Sequence, residues 1–456
     1  MHAGDRSPPW FEHALLPGGW TQRVRIAIAS GRIAAIDSGT DPAPDDERHA
    51  IALPGMPNLH SHAFQRGMAG FAETRGPQGD SFWTWREIMY RFVEQMGPDE
   101  LEAIAAMAYI EMLEAGFTRA GEFHYVHHDP AGAPYADRAE MAARIAAAAE
   151  QSGIGLTLLP VFYAHAGFGG LAPKPGQRRF IHNLDEFEKL LAASRAAVAS
   201  LDDAVTGLAP HSLRAATEDE LRHLATLAGS APIHIHVAEQ QKEVNDCLAW
   251  SGRRPVEWLL DTGLVDDRWC LVHATHITGS ETAGLAKSGA VAGLCPITEA
   301  NLGDGVFPAV PFLSQYGRFG IGSDSNVLID AAEELRTLEY GQRLMQEGRN
   351  VLASAEGAST GGELYRAALR GGAQALQTEA ALRIGAPADL VSLNAEHPAL
   401  YGRRGDAILD SWIFAARAGA VDCVWRHGRK VVADGRHHAR DEIVRRYRRA
   451  LDTVLA

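Results

Sequence analysis

The chain has 456 residues, of which 46% are hydrophobic and 22% are charged. This is the composition of an ordinary globular protein, and it excludes the disordered and collagen-like classes. The formal net charge of -14 argues against bulk attraction to nucleic acid or to an anionic membrane.

Cysteine usage and the N-terminal segment favour the cytoplasm. The four cysteines form no CxxC pair, so we expect reduced thiols rather than a disulfide framework. The N-terminus has no charged segment followed by an apolar one, and no apolar run approaches the roughly 18 to 20 residues of a membrane span. We therefore expect a soluble, cytoplasmic protein without membrane or nucleic-acid partners.

The chain begins with short strands, and its central part alternates between helices and strands. Residues 24–28 and 31–36 have strand character, with a glycine turn between them. In the central part, helical periodicity alternates with short apolar runs. The predicted elements there are helices 98–115, 137–151 and 185–200 and strands 156–161, 205–209, 233–237, 271–272, 290–294 and 319–321. Thr217 opens a further helix, and Glu220 completes a capping box.

The last part of the chain again has short strand-like segments, as its beginning does. Residues 389–393, 421–425 and 427–432 again have strand character, and such short strands need partners. We therefore expect one small β domain, built from residues 1–54 and 385–456. The helix–strand alternation of residues 55–384 predicts parallel strands with crossover helices. It favours a (β/α)8 barrel, although an open three-layer sheet is not excluded.

Polar residues follow several strand-like runs, which is where a barrel keeps its active site. His60 and His62 lie two apart in an extended segment, so both can reach one metal ion. His236 lies in strand 233–237, and Glu239 follows three residues later. Alone, the first pair could be unrelated surface histidines, and Glu239 could be a helix-start residue favoured by the dipole.

Two further candidate site residues lie at the ends of later strands. His273 follows strand 271–272, and Asp324 follows strand 319–321. An isolated aspartate at such a place could equally be a turn or N-cap residue. HxH, His, His and Asp at successive strand ends, in this order, indicate a metal site far more specifically than any one of these residues alone.

That order resembles the ligand layout of the amidohydrolase superfamily, and the resemblance covers nearly the whole chain. Within the superfamily the chain is most similar to the formimidoylglutamate deiminase family. The stretches that carry this similarity are NLHSHAFQR at 58–66, HVAEQ at 236–240, HATH at 273–276 and CPITEANLGDG at 295–305. The resemblance implies an α/β fold with an amidohydrolase-type (β/α)8 TIM-like barrel, a small β-sandwich domain and a homodimer.

The implied reaction is hydrolysis of N-formimino-L-glutamate to N-formyl-L-glutamate and ammonia in histidine breakdown, by a zinc-activated hydroxide. The implied zinc ligands are His60, His62, His236 and Asp324, which could also hold iron or manganese. No lysine is suited to bridge two metals, so we expect one ion per subunit. Glu239 is implied in proton transfer, together with Asp324, and His273 in binding the attacking water or the developing charge.

A substrate with two carboxylates needs cations and donors in the pocket. Arg214 and Arg86 are the candidates for the carboxylates, and Gln65 and Tyr125 match further substrate-binding positions of the family. His211 matches another active-site position without a defined role. Each residue also has an ordinary alternative, because arginines are usually solvated and tyrosines are usually half-buried packing residues.

Two other functions remain open at this point. A deaminase of the same superfamily acting on a ring substrate would share the metal site and differ in the pocket, where it needs stacking surfaces. A non-catalytic homologue would keep the fold and lack several ligands, and none is missing from this sequence.

Overall fold

A computed structural model describes residues 8–76, 82–417 and 419–456, and their strands form three sheets. The strands are β1 Pro9–Leu16, β2 Gly19–Ala29, β3 Arg32–Asp37, β4 Glu47–Pro54, β5 Met56–Ser61, β6 Phe117–His124, β7 Gly155–Phe162, β8 Val205–Thr206, β9 Ala209–Pro210, β10 Ile233–Val237, β11 Trp269–His273, β12 Val291–Leu294, β13 Arg318–Ile321, β14 Leu390–Leu393, β15 Val421–Arg426, β16 Arg429–Ala433 and β17 Arg436–His437.

Helices connect most of the central strands. They are α1 Phe82–Gln95, α2 Pro98–Glu114, α3 Glu140–Ser152, α4 Leu184–Ala197, α5 Glu218–Ala228, α6 Gln241–Ser251, α7 Pro255–Asp261, α8 Gly279–Ser288, α9 Pro296–Leu302, α10 Ala309–Leu313, α11 Ala331–Gln346, α12 Thr360–Ala375, α13 Ala407–Ala415 and α14 Arg440–Val454. Within the described ranges there are also two 3₁₀ segments, Ala63–Met68 and Pro175–Gln177. In the described part of the chain, no helix is long and apolar enough to cross a membrane.

Strands from both chain ends lie in one eight-stranded sheet of order β17-β16-β15-β14-β4-β1-β2-β3. The junction is β4, which pairs parallel with β1 and antiparallel with β14. Apolar side chains from both ends form a separate small core that includes Phe11, Ile26, Leu390 and Trp425. The predicted pairing of the two ends is therefore confirmed, while the sandwich and the domain boundaries stay predictions.

The central strands form two parallel sheets, as the helix–strand alternation predicts. One contains β5, β6, β7 and β8, with β9 also pairing β7, and the other contains β10 to β13 in order. Strands β5, β6, β7 and β10 are buried along their whole length, because helices cover sheets of this kind. The large hydrophobic core lies between these sheets and the helices around them.

Most predicted elements are present, and the differences have local causes. The capping box at α5 is confirmed: Glu220 N donates to Thr217 Oγ1 at 3.4 Å and Thr217 N to Glu220 Oε2 at 2.7 Å. Helix α3 begins at Glu140 rather than at Asp137, whose carboxylate accepts a hydrogen bond from the Ala139 amide at 2.8 Å. The predicted strand 205–209 is two shorter strands, β8 and β9.

Candidate active site

Four predicted metal ligands from distant parts of the chain converge on one point. The ligand atoms of His60, His62, His236 and Asp324 all lie within 4.8 Å of one another. Asp324 Oδ1 is 3.5 Å from His60 Nε2 and 3.3 Å from His62 Nε2. All four side chains are buried. This removal from water lowers the pKa of His60 to about 3, so its imidazole is neutral.

The imidazoles are oriented as metal ligands are. His62 Nδ1 donates to the Phe123 carbonyl at 3.0 Å, and His236 Nδ1 donates to the His211 carbonyl at 3.1 Å. A neutral imidazole with its proton on Nδ1 carries a lone pair on Nε2, and these atoms face the Asp324 carboxylate. His236 Nε2 also lies 3.0 Å from His60 Nε2, and imidazole nitrogens and a carboxylate that converge in this way fit a cation. The residues present therefore suit a zinc ion.

The backbone holds these ligands in register across the strand ends. Asp324 N donates to the His60 carbonyl, and His62 N donates to the Asp324 carbonyl, both at 2.9 Å. Gly322 permits this approach, because a Cβ there would lie 2.7 Å from the His60 carbonyl oxygen. Asp324 itself has φ 44°, and Ala238, two residues after His236, has φ 52°. Left-handed backbone at residues other than glycine is strained and collects at functional sites.

A buried network of amides and hydroxyls ties the ends of β5 and β13 together. Asn58 accepts from Ser323 N at 3.0 Å and donates to Ser323 Oγ at 2.6 Å. Ser323 Oγ in turn donates to Asn326 Oδ1 at 2.6 Å. The Asn326 amide donates to Ser61 Oγ at 3.1 Å and to the carbonyls of His62 at 3.0 Å and Asp324 at 3.2 Å. This network fixes the backbone on both sides of the predicted metal ligands.

Two predicted catalytic residues lie beside the ligands. His273 Nε2 is 3.8 Å from Glu239 Oε1 and 3.8 Å from Asp324 Oδ2, and its Nδ1 contacts Glu299 Oε1 at 3.3 Å. Burial lowers the pKa of His273, but the three carboxylates around it outweigh burial and raise it. Burial raises the pKa of Glu239 above its ordinary value. An acid and a base with displaced pKa values suit proton transfer.

One pocket opens above this cluster, and every predicted site residue except the deeper His60 lines it. Gln65 Nε2 donates to Tyr125 Oη at 2.9 Å, so both residues present polar atoms on one wall. His211 packs against His236, with ring centroids 4.9 Å apart. The structure thus brings all of the predicted residues together.

Two arginines line the same pocket. The guanidinium carbon of Arg86 lies 4.6 Å from the centroid of the Trp83 ring, and that of Arg214 lies 5.6 Å from it. Within the described residues, the Nε atoms of both arginines are buried without a hydrogen-bond partner. Donors of this kind favour an anionic ligand, because a buried unpaired donor is costly.

The chain matches two family models that together span most of its length. Residues 51–431 match the amidohydrolase family, and residues 10–50 match the N-terminal domain of formimidoylglutamate deiminase HutF. A formimidoylglutamate deiminase from Pseudomonas aeruginosa is 52% identical over 97% of this chain and 98% of its own. This chain belongs to the amidohydrolase family, in its formimidoylglutamate deiminase branch.

Solved structures agree with this membership. An amidohydrolase from Brucella melitensis is 56% identical, with a TM-score of 0.95 over 99% of this chain and 100% of its own. An adenosine deaminase from Xanthomonas campestris with bound zinc has a TM-score of 0.82 over 98% of each chain. At 21% identity, the second similarity establishes the fold alone.

Several residues that shape the site of this amidohydrolase were not predicted. Glu299 contacts His273, and the amide of Asn326 reaches three oxygens around the ligands. Tyr163 Oη accepts from Gln177 Nε2 at 2.7 Å, and its ring lies 4.6 Å from that of His211. Glu299 belongs to the stretch 295–305 that carries the family resemblance, so a polar residue there was a usable signal. Gln177 lies in a segment without any pattern.

Proposed function

We propose that this amidohydrolase hydrolyses N-formimino-L-glutamate to N-formyl-L-glutamate and ammonia. The observation that carries the proposal is the combination of a four-ligand cluster with two arginines, Arg86 and Arg214, in one pocket. Hydrolysis of a C–N bond needs an activated water, and a dicarboxylate needs cations at a distance from it. The 52% identical relative named as this deiminase supports the same substrate.

We further propose zinc as the metal, held by His60, His62, His236 and Asp324. A zinc ion bound there would lower the pKa of a coordinated water to roughly 7 and so supply a nucleophile near neutral pH. The lone pairs of the three imidazoles and the Asp324 carboxylate are the donors that such an ion takes. The buried hydrogen bonds behind them keep the ligands preorganised.

Glu239 and Asp324 would then transfer protons, and His273 would bind the reacting oxygen. Glu239 accepts a proton from the attacking water and delivers it to the imine nitrogen of the formimino group. Water adds its oxygen to the formimino carbon, the carbon–nitrogen bond to the terminal nitrogen breaks, and both water protons leave with that nitrogen as ammonia. Asp324 orients the water and can take its second proton. His273, held by Glu299, donates a hydrogen bond to the oxygen that becomes the formyl group.

The pocket wall would position the other half of the substrate. Arg86 and Arg214 bind the carboxylates, since a guanidinium can donate two parallel hydrogen bonds to each. Gln65 and Tyr125 supply neutral donors, and their mutual hydrogen bond holds both in place. His211 contributes a ring beside His236, and its carbonyl fixes the orientation of that ligand.

We also infer that the two parallel sheets close into the (β/α)8 barrel. Parallel bridges support closure on both sides: Ser61 pairs with Asp324 after β13, and Ser212 after β9 pairs with His236 in β10. Closure would place every ligand at the carboxyl ends of the strands, where barrel enzymes carry their active sites.

The test is to incubate the purified, zinc-loaded protein with N-formimino-L-glutamate and to identify both products. We expect ammonia and N-formyl-L-glutamate in equal amounts. Formamide and glutamate would show cleavage of the other carbon–nitrogen bond and overturn the assignment. Adenosine serves as the ring control, and faster ammonia release from it than from the formimino compound would favour a ring deaminase.

A further inference from the structure

The carboxylate of Asp324 faces two different groups of ligands. Its Oδ1 points at the imidazoles of His60 and His62, at 3.5 and 3.3 Å from their Nε2 atoms. Its Oδ2 faces the Nε2 atom of His273 at 3.8 Å. A carboxylate with each oxygen directed at a separate nitrogen can bridge two cations.

A buried thiol completes the second group. The ligand atoms of His273, Cys295 and Asp324 all lie within 4.8 Å of one another. Cys295 directly precedes α9 and is fully buried. Thiolate sulfur and imidazole nitrogen are the donors that zinc and softer divalent cations prefer.

One glutamate holds both new ligands in place. Glu299 Oε1 contacts His273 Nδ1 at 3.3 Å, which leaves Nε2 directed at Asp324, and it accepts a hydrogen bond from the Cys295 amide at 3.0 Å. A carboxylate behind a histidine ligand is the usual outer partner in zinc sites. Glu299 therefore positions both the His273 ring and the backbone of Cys295.

We propose that His273 Nε2, Cys295 Sγ and Asp324 Oδ2 form a second cation site, which takes Zn²⁺ or Cd²⁺ once the three-histidine site is filled. On binding, the Cys295 S–H bond and the His273 Nε2–H bond break, both protons leave to solvent, and metal–sulfur and metal–nitrogen bonds form. Tetrahedral ligands at about 2.0 to 2.3 Å from zinc lie roughly 3.3 to 3.8 Å apart, so small side-chain shifts close the site.

Occupation of this site would inhibit the enzyme. The cation engages His273 Nε2 and the second oxygen of Asp324, and both atoms face the place where the substrate reacts. The inference rests on the proposed metal centre and does not depend on the substrate. A failed deiminase assay therefore leaves the expected cation count unchanged.

The competing interpretation is that the Cys295 thiol only fills space. Cys295 belongs to a small apolar cluster with Cys270, Leu59 and Val272, where a buried cysteine behaves as a small hydrophobic side chain. Cys270 is fully buried in the same cluster and does not belong to the metal-ligating group, so it is a matched control.

The experiment titrates the holoenzyme, loaded with one zinc per subunit, with Cd²⁺ and counts both metals after equilibrium dialysis. We expect a second ion in the wild type and in Cys270→Ala. In Cys295→Ala the affinity for the second ion should fall more than roughly 100-fold, since loss of outer-shell partners alone costs about 10- to 100-fold. Added Co²⁺ should give a near-ultraviolet thiolate-to-cobalt band that Cys295→Ala and Cys295→Ser both lack.

Turnover provides a second readout. Excess Zn²⁺ should inhibit the wild type and Cys270→Ala at concentrations that leave Cys295→Ala active. Retention of only one ion by the wild type would overturn the proposal, and so would a second ion bound equally well by Cys295→Ala. Cys295→Ser keeps nearly the volume of the side chain, so it replaces Cys295→Ala if circular dichroism shows that the alanine variant has not folded.

Discussion

Replacement of Arg214 by alanine should remove most of the activity while the metal stays bound. If the guanidinium donates two charge-assisted hydrogen bonds to a substrate carboxylate, each contributes about 1.5 to 3 kcal/mol. A combined loss of about 3 to 6 kcal/mol corresponds to a roughly 150- to 25,000-fold lower kcat/KM. Zinc content should be unaffected, because Arg214 is not among the predicted ligands and packs towards Trp83, at 5.6 Å from its ring centroid.

The assay measures ammonia release with N-formimino-L-glutamate, together with zinc content and thermal stability. Arg214→Lys keeps the charge without the planar fork, so an intermediate loss is expected. Arg222→Ala is the matched control, since Arg222 is exposed and pairs with Glu218 at 2.6 Å. For a formimino substrate lacking the carboxylate that Arg214 binds, the effect of Arg214→Ala should shrink strongly.

The result that would refute this reasoning is a less than fivefold change in kcat/KM for Arg214→Ala with zinc retained. An equal loss on both substrates would also refute it, because the arginine would then act on the metal centre or the fold rather than on a carboxylate.

Three further predictions concern catalysis, the ligand framework and stability. Glu239→Gln should lower kcat by about 10²- to 10⁴-fold with zinc retained, since it removes the proton shuttle. Asn326→Ala removes the amide that donates to Ser61 Oγ and to the carbonyls of His62 and Asp324, and it leaves Ser323 Oγ without its acceptor, so a loss of about 1 to 3 kcal/mol in stability and weaker zinc binding are expected. Asp203 pairs with Arg119 at 2.6 Å and with Arg426. Burial raises the pKa of Asp203, but Arg426 and Arg119 outweigh burial and lower it. Its stabilisation is therefore present above the unfolded pKa of about 3.9 and is lost as the pH falls through the lower folded value. Asp203→Asn should destabilise the protein near neutral pH and much less in acid, as measured by denaturant unfolding from pH 7 to pH 3.

Each of these predictions has a control and a contrary outcome. Normal turnover by Glu239→Gln would assign proton transfer to another group. Asn245→Ala, on an exposed helix surface, should change neither stability nor zinc binding, and equal behaviour of Asn326→Ala would show that its network is dispensable. The exposed neighbour Asp202 is the control for Asp203, and a pH-independent loss in Asp203→Asn would contradict the role of its charge.

The predicted metal ligands follow from local patterns, because each lies at a strand end that is apolar and periodic in the sequence. His60 and His62 follow from a two-residue spacing, and residues 233–237 match β10 at both ends. The same patterns failed where a tertiary neighbour decides the outcome. The predicted strand 205–209 is interrupted because only residues 205–206 and 209–210 pair with β7.

The sequence by itself determined which residues we predict to bind a metal, roughly where the strands lie and which family the chain resembles. These features depend on short-range spacing, which the chain carries locally. The tertiary structure alone decided that the two oxygens of Asp324 face different histidines, and that Glu299 stands behind both His273 and Cys295. Such relations arise when side chains from separate strands pack at one end of the sheets, and no spacing along the chain encodes their distances.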